Sequence, residues 1–214
     1  MPAEALKSTL PLVKRIGSSP DAFKILVIGV FHGEEPQGDF IIHKYLETPA
    51  AFEPKNHMYY IPCLNPWGME RGMRTNQNGV DLNRNYPTKN WIKTEKNENF
   101  SGEKAASENE TRQMIELLEK LKPDIIVTLH APLKCINYDG PAKKLAEKIA
   151  RFFSYPVHAD LGYPTPGSFG TYYGIERNIP TITIEYDDKE NLNSLYAKTE
   201  KVLNWLGKLD ALPQ

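Results

Sequence analysis

The sequence predicts one α/β domain over residues 1–214, a mixed and mostly parallel β-sheet with helices on both faces. Three observations lead there. Apolar runs of strand length alternate with helical patterns along most of the chain, the order expected of a sheet layered with helices. The 214 residues suffice for one sizeable core and would be cramped as two. No internal repeat and no long low-complexity segment interrupts the alternation.

Phe23–Val30 reads as a strand because KILVIGV is an unbroken apolar run, as in a strand covered on both faces. Gln37–Leu46 follows as a helix and Met58–Leu64 as a strand. Glu108–Leu121 reads as a helix, with Ser107 and Glu110 at the spacing of a capping box. Asp124–Leu129 is a second apolar run and reads as a strand. Gly140–Phe153 reads as a helix, Pro156–Ala159 as a short strand, Thr181–Tyr186 as a strand and Asn191–Leu209 as a helix. The polar segment Thr88–Ser107 is expected to be a long surface loop, a length uncommon unless functional or mobile.

Composition narrows the function. With 40% hydrophobic residues, 25% charged residues and a net charge of −1, no electrostatic reason exists to expect nucleic acid or an anionic membrane as partner. No apolar run approaches the ~20 residues of a membrane span. The opening MPAEALKSTLPLVKRI is broken by Lys7, Pro11, Lys14 and Arg15, so no secretory leader is expected. Cys63 and Cys135 make neither a CxxC pair nor a disulfide framework. The cytoplasm is the expected location, and the oligomeric state is left open.

Open α/β sheets collect their sites where strands end at the carboxyl edge. Three of the expected strands end in chemical groups: KILVIGVFHGEE in His32, Glu34 and Glu35, DIIVTLH in His130, and TITIE in Glu185. If the chain turns into a helix after the first strand, His32 and Glu35 share a face and can grip one ion, with Glu34 pointing elsewhere. Zinc in a hydrolytic site takes three nitrogen or oxygen ligands and a water whose pKa falls toward ~7. His130 is the best third ligand. His43, His57 and His158 read as surface or packing histidines.

RGMRTNQNGVDLNRNYP (Arg71–Pro87) is dense in Arg and Asn around Val80 and Leu82. Turn formation accounts for Asn76, Asn78 and Gly79. It accounts less well for Arg71, Arg74 and Arg84, or for Asn83 and Asn85 bracketing Arg84. An Arg fork binds a carboxylate through two hydrogen bonds, and a second arginine can meet a developing oxyanion. Asp81 either orients His32 by accepting from its ring or simply caps and solvates the turn. Glu185 is either a solvated strand end or a general base beside a metal.

Taken together, these residues resemble the zinc metallocarboxypeptidase family. That family carries an HxxE pair, an R…NRN segment, a distant histidine closing a strand and a late strand-end glutamate in this order. The corresponding residues here are His32 and Glu35, Arg74 with Asn83-Arg84-Asn85, His130, and Glu185. Within the family the blocks CLNPWGMERGMRTNQNGVDLNRNYP, HAPLKCI and LGYPTPGSFG look most like those of bacterial murein tripeptide amidases. The tryptophan of NPWG and Ala131 stand where those relatives often carry aspartate.

The resemblance implies one zinc ion on His32, Glu35 and His130, with Glu185 as base and Arg74 at the oxyanion. It implies Asn83 and Arg84 on a substrate carboxylate, with Arg71 at the rim. It further implies cleavage of the γ-D-glutamyl–meso-diaminopimelate amide in peptides from cell-wall turnover, a cytoplasmic recycling role. Tyr163 lies near the place of the tyrosine that digestive members hold over substrate, and the GSFG stretch Gly167–Gly170 is expected to shape the specificity pocket. Other readings are a general carboxypeptidase, an N-acyl amino acid deacylase and a non-catalytic peptide-binding module.

Overall fold

The unbroken apolar runs become the middle of the sheet. The computed structural model describes residues 10–48 and 53–213. Part of the opening segment, on which the expectation of no leader rests, lies outside them. In chain order the elements are β1 (Val13–Arg15), β2 (Lys24–Gly29), α1 (Gln37–Glu47), β3 (His57–Ile61), α2 (Pro66–Arg71), α3 (Asn109–Leu121), β4 (Ile125–His130), β5 (Cys135–Asp139), α4 (Lys143–Phe153), β6 (Val157–His158), β7 (Thr181–Glu185) and α5 (Leu192–Gly207). A 3₁₀ turn covers Leu82–Arg84 and a π-helical turn covers Gly170–Ile175.

The strands form one seven-stranded sheet in the order β1-β3-β2-β4-β7-β5-β6. β3, β2, β4 and β7 run parallel, whereas β1 opposes β3 and β5 opposes β7. This is the expected single α/β domain with a mixed sheet. Side chains alternate across it because successive residues of a strand point to opposite faces. Ile25 and Val27 of β2 join a core with α1, α4 and α5, while Leu26 and Ile28 join a second core with Met114 and Leu118 of α3. Both faces are therefore covered, which is why β2 and β4 read as continuous apolar runs. Among the described residues no helix is long and apolar enough to cross a membrane.

Several elements differ from expectation. β1, α2, β5 and the π-helical turn were not anticipated, each being six residues or fewer. The capping box does not form. Glu108, not Ser107, is the N-cap of α3, and the Ser107 hydroxyl donates to Glu108 Oε1. That hydroxyl also accepts from Asn85, which draws the helix start one residue later.

The segment from Thr88 to Ser107 has no helix or strand, as expected of a loop, but it is tied down along its length. Asn85, fully buried, donates from Nδ2 to the Ser101 carbonyl at 2.7 Å and to Ser107 Oγ at 3.0 Å, and its Oδ1 accepts from Glu108 N–H at 3.1 Å. Removing this side chain would strand a backbone donor and acceptors away from water. Asn85→Ala is expected to lower stability by about 2–4 kcal/mol, read as a shift in the urea midpoint at unchanged slope.

Candidate active site

β2 leads to β3 on one side and β4 pairs with β2 on the other, so the order of the sheet reverses between β2 and β4. Connections diverge at such a point and leave a crevice at the carboxyl ends of the strands. His130 and Glu185, the last residues of β4 and β7, are direct register partners there. Beyond β2, Val30 takes a φ of +48°, a left-handed conformation rare for a β-branched residue. Such strain costs of order 1–3 kcal/mol and needs surrounding support. That support comes from Leu64 N–H on the Gly29 carbonyl and Asn65 N–H on the Val30 carbonyl. The turn delivers His32 into the crevice.

His32 and Glu35 do not share a helical face, because α1 starts only after its N-cap Pro36. They meet across a tight turn in which Glu35 N–H donates to the His32 carbonyl at 3.0 Å. Glu35 Oε1 lies 2.7 Å from His32 Nδ1, and Oε2 lies 2.9 Å from His130 Nδ1. One ligand atom from each of the three buried residues falls within 4.8 Å of the others. Two imidazoles and one carboxylate, desolvated and convergent, match the donor set of a hydrolytic zinc site. These three residues could hold the metal.

Asp81 joins both readings offered for it. Its Oδ1 is 3.1 Å from His32 Nε2 and accepts from Asn83 N–H at 2.8 Å, so it orients the ring and caps the 3₁₀ turn. Its Oδ2 accepts from Arg74 Nη2 at 2.8 Å and from Nε at 3.1 Å. The remaining Arg74 nitrogen, Nη1, lies 3.3 Å from His32 Nδ1 and faces Glu35 Oε1 at 3.8 Å and Glu34 Oε1 at 3.7 Å. The Glu34 side chain is half-exposed and makes no other ion pair or hydrogen bond among the described residues.

Burial opposes every charge here, and the partners decide the outcome. Burial lowers the His32 pKa, but Asp81 and Glu35 outweigh it and hold the ring at about 9. Burial raises Glu35 and Asp81, yet His32 and its neighbours bring both well below the usual carboxylate range. Glu185 behaves differently. Burial and the nearby Glu35 charge push its pKa up, His130 opposes, and its nearest donor is Leu133 N–H at 3.5 Å.

A cleft of about 390 Å³ contains His32, Glu35, His130, Glu185, Arg74 and Arg84 on its walls. Asn83 is there too, its Oδ1 accepting from Phe169 N–H at 2.9 Å, which leaves the Nδ2 amine as a donor. Arg84 is only 7% exposed and has no carboxylate partner among the described residues. Its Nη1 donates to the Asn83 carbonyl at 2.8 Å, and burial lowers its pKa. Tyr163 stands on the wall, 46% exposed. Ser168, Phe169 and Gly170 of the GSFG stretch also line it.

Arg71 is not brought in. It lies exposed on α2, 4.5 Å from the Trp67 ring centroid, with Nη1 on Glu70 Oε2 at 2.6 Å. The residues that sequence reasoning missed are on the floor: Thr128, Thr183, Asn137 and Asp139, all on the cleft face of the sheet. Asn137 and Asp139 alternate with Ile136 in CINYD, a five-residue strand signal ending against a glycine.

This fold and this arrangement define a class. Residues 15–159 match the zinc carboxypeptidase family, and the chain belongs to it. It is a zinc metallopeptidase acting on a peptide. Nearer relatives are also apparent. The chain is 32% identical over 196 residues to murein peptide amidase A of Escherichia coli K12, covering 84% of this chain and 79% of that protein. It is 37% identical over 173 residues to murein peptide amidase A of Vibrio campbellii, covering 75% and 68%. The crystal structure of murein-tripeptide amidase MpaA from Escherichia coli O157 superposes with a TM-score of 0.78 at 29% identity, covering 90% of this chain and 85% of that chain.

Asp81 is the buried member on which both His32 and Arg74 lean. Asp81→Ala would leave a desolvated guanidinium and an unoriented imidazole, a loss in the range for breaking buried pairs. Denaturant unfolding is expected to register a destabilisation of roughly 3–5 kcal/mol.

Proposed function

We propose that this chain hydrolyses the γ-D-glutamyl–meso-diaminopimelate amide of murein tripeptides, as part of the recycling of cell-wall peptides in the cytoplasm. The observation that carries this choice within the family is the identity of 32% and 37% to two murein peptide amidases over 84% and 75% of the chain. Two buried, free thiols, Cys63 and Cys135, accord with a reducing compartment.

In this reading His32, Glu35 and His130 hold the zinc ion. When bound, zinc supplies Lewis acidity, polarising the scissile carbonyl and making water acidic enough to attack near neutral pH. Asp81 keeps the Nε2 proton of His32 in place, so that Nδ1 remains the donor atom. Glu185 takes the proton of the attacking water and returns it to the departing nitrogen. Burial raises its pKa, which makes its protonated form a better partner for the return transfer than an ordinary glutamate would be. Arg74, tethered by two of its nitrogens to Asp81, offers the third to the oxygen that gains negative charge.

Arg84 and the Asn83 amide receive a free substrate carboxylate. A buried guanidinium without an acidic partner is costly, and an incoming carboxylate would satisfy it through charged hydrogen bonds. Cleavage is thereby confined to the bond preceding a terminal residue. Tyr163, half-exposed on the same wall, would cover that residue.

The direct test is release of diaminopimelate from L-alanyl-γ-D-glutamyl-meso-diaminopimelate by the zinc-loaded protein, alongside ordinary α-linked C-terminal peptides and N-acyl amino acids. Turnover of the γ-linked peptide well above the others is expected, and its absence overturns the assignment.

Glu185→Gln is expected to reduce kcat by about 10²–10⁴ while zinc content and peptide binding persist, as read by metal analysis and calorimetry. For the wild type, burial raises the pKa of a group that must be ionised to act. The acid limb of kcat/KM should therefore fall at a pH above the ordinary glutamate value, activity being lost as pH drops through it.

A further inference from the structure

Asp139 ends β5 on the cleft face of the sheet, and the proposed mechanism does not use it. Its carboxylate makes no hydrogen bond and no ion pair with any described residue. Burial alone raises its pKa to about 6, so near neutral pH it remains a charged group without a counter-ion. The two arginines on the cleft walls do not pair with it. Arg74 is held by Asp81, and Arg84 donates to the Asn83 carbonyl.

Room for this carboxylate is built into the opposite wall. A Cβ on Gly170 would fall 2.1 Å from Asp139 Oδ2, and a Cβ on Gly174 would fall 2.3 Å from Asp139 Cβ. Any larger residue at either end of this π-helical turn would displace the acid. The floor beside it is polar but uncharged. Thr128 Oγ1 donates to Thr183 Oγ1 at 2.9 Å, and the Asn137 amide donates to the His158 carbonyl at 3.0 Å. These groups satisfy one another and leave Asp139 without compensation.

Strand register gives the span. Cys135 pairs with Glu185 and Asp139 with Thr181, so the acid lies four residues along β5 from the base. At the rise of a strand that is about 13 Å. An extended side chain of lysine or diaminopimelate length, with a hydrogen bond at its end, crosses such a distance from a scissile carbonyl held beside Glu185.

We propose that Asp139 is a specificity-determining residue, receiving an ammonium group at the far end of the side chain of the residue whose amide nitrogen departs. This rests on the function proposed above, in which Arg84 and Asn83 hold that residue's carboxylate, and it deepens it by naming the chemistry read at the other end. An anion left unpaired in a partly desolvated pocket favours substrates that bring a cation. It disfavours those whose side chain ends in a methyl or a carboxylate alone, because they leave the acid covered and unmatched.

The experiment compares three γ-D-glutamyl peptides that end in meso-diaminopimelate, lysine and norleucine, using zinc-loaded wild-type protein. The two amine-bearing peptides are expected to exceed norleucine by roughly 30- to 1,000-fold in kcat/KM. Asp139→Asn is expected to bring that ratio to within about threefold of one, acting through KM on the amine-bearing peptides rather than through kcat. Equal wild-type turnover of norleucine and lysine peptides overturns the proposal, as does an Asp139→Asn protein whose losses are the same for all three. Free lysine against free norleucine as competitive inhibitors of the wild type repeats the comparison without a variant, and equal inhibition also overturns it. The same terminal residues on α-linked acyl dipeptides separate the two proposals. Lysine preference there without γ-D-glutamyl cleavage removes the amidase assignment and keeps the role of Asp139.

Discussion

Two imidazoles from different strand ends meet on the two oxygens of one buried carboxylate, Glu35, and the rest of the site is arranged around that meeting. Glu35 is 7% exposed, and a carboxylate there is tolerable only with cationic or donating partners on both oxygens. His32 supplies one, while His130 and the Ala131 N–H supply the other. Asp81 then completes His32 from the far side, and Arg74 balances Asp81. The chain of partners alternates in sign, so removing any member exposes its neighbours to an uncompensated burial cost. The negative charge of Glu35 and Asp81 also concentrates positive charge at His32. If His32 holds the metal, a proton and a divalent cation would compete for the ring, which would couple metal affinity to pH.

That cluster can exist only where the fold brings three segments together without covering them. The reversal of strand order between β2 and β4 does so, since the chains leaving them turn to opposite sides. The sheet contributes unequally on its two faces. The face toward α1, α4 and α5 carries Ile125, Val127, Leu129, Ile182 and Ile184 and is apolar throughout. The other face carries Thr128, His130, Thr183 and Glu185 on the same two strands. Period-two alternation thus lets one strand pair serve a core and a cleft at once.

This division explains what could be read in the sequence. β2 and β4 were legible because their length is buried on both sides, and His130 and Glu185 because a polar side chain closing an apolar run is conspicuous. β5 was not, because its cleft-facing half is Asn137 and Asp139, which break the apolar pattern and resemble a turn before Gly140. α2 carried its signals, an Asn65 cap, Pro66 at its start and Gly72 in a left-handed conformation at its end. At six residues it offers no periodicity to support them. The NRN triplet was recognised as chemical, but its division of labour was not. Around a 3₁₀ turn successive side chains leave in different directions, so Asn83 and Arg84 reach the cleft while Asn85 anchors the long segment behind it. From the resemblance Arg74 was expected at the oxyanion and Arg71 at the rim of the same site. Only Arg74 has a buried acid to fold back upon, whereas Arg71 lies on the outer surface of α2 against Trp67.

Two side chains on the cleft walls, Arg84 and Asp139, have no counter-ion among the described residues, and they carry the substrate proposal. Arg84 is a buried cation and Asp139 a half-buried acid, and the two do not pair with each other. Each is a standing cost to the folded state. A single ligand that carries a carboxylate near its backbone and an amine at the end of a long side chain would relieve both. Such a ligand would be fixed at two points, with the bond to be broken lying beside Glu185. Two-point attachment of this kind positions as well as selects, because a residue satisfying only one charge is free to pivot away from the base. In the proposed function the substrate class rests on these two charges more than on the residues that would hold the metal.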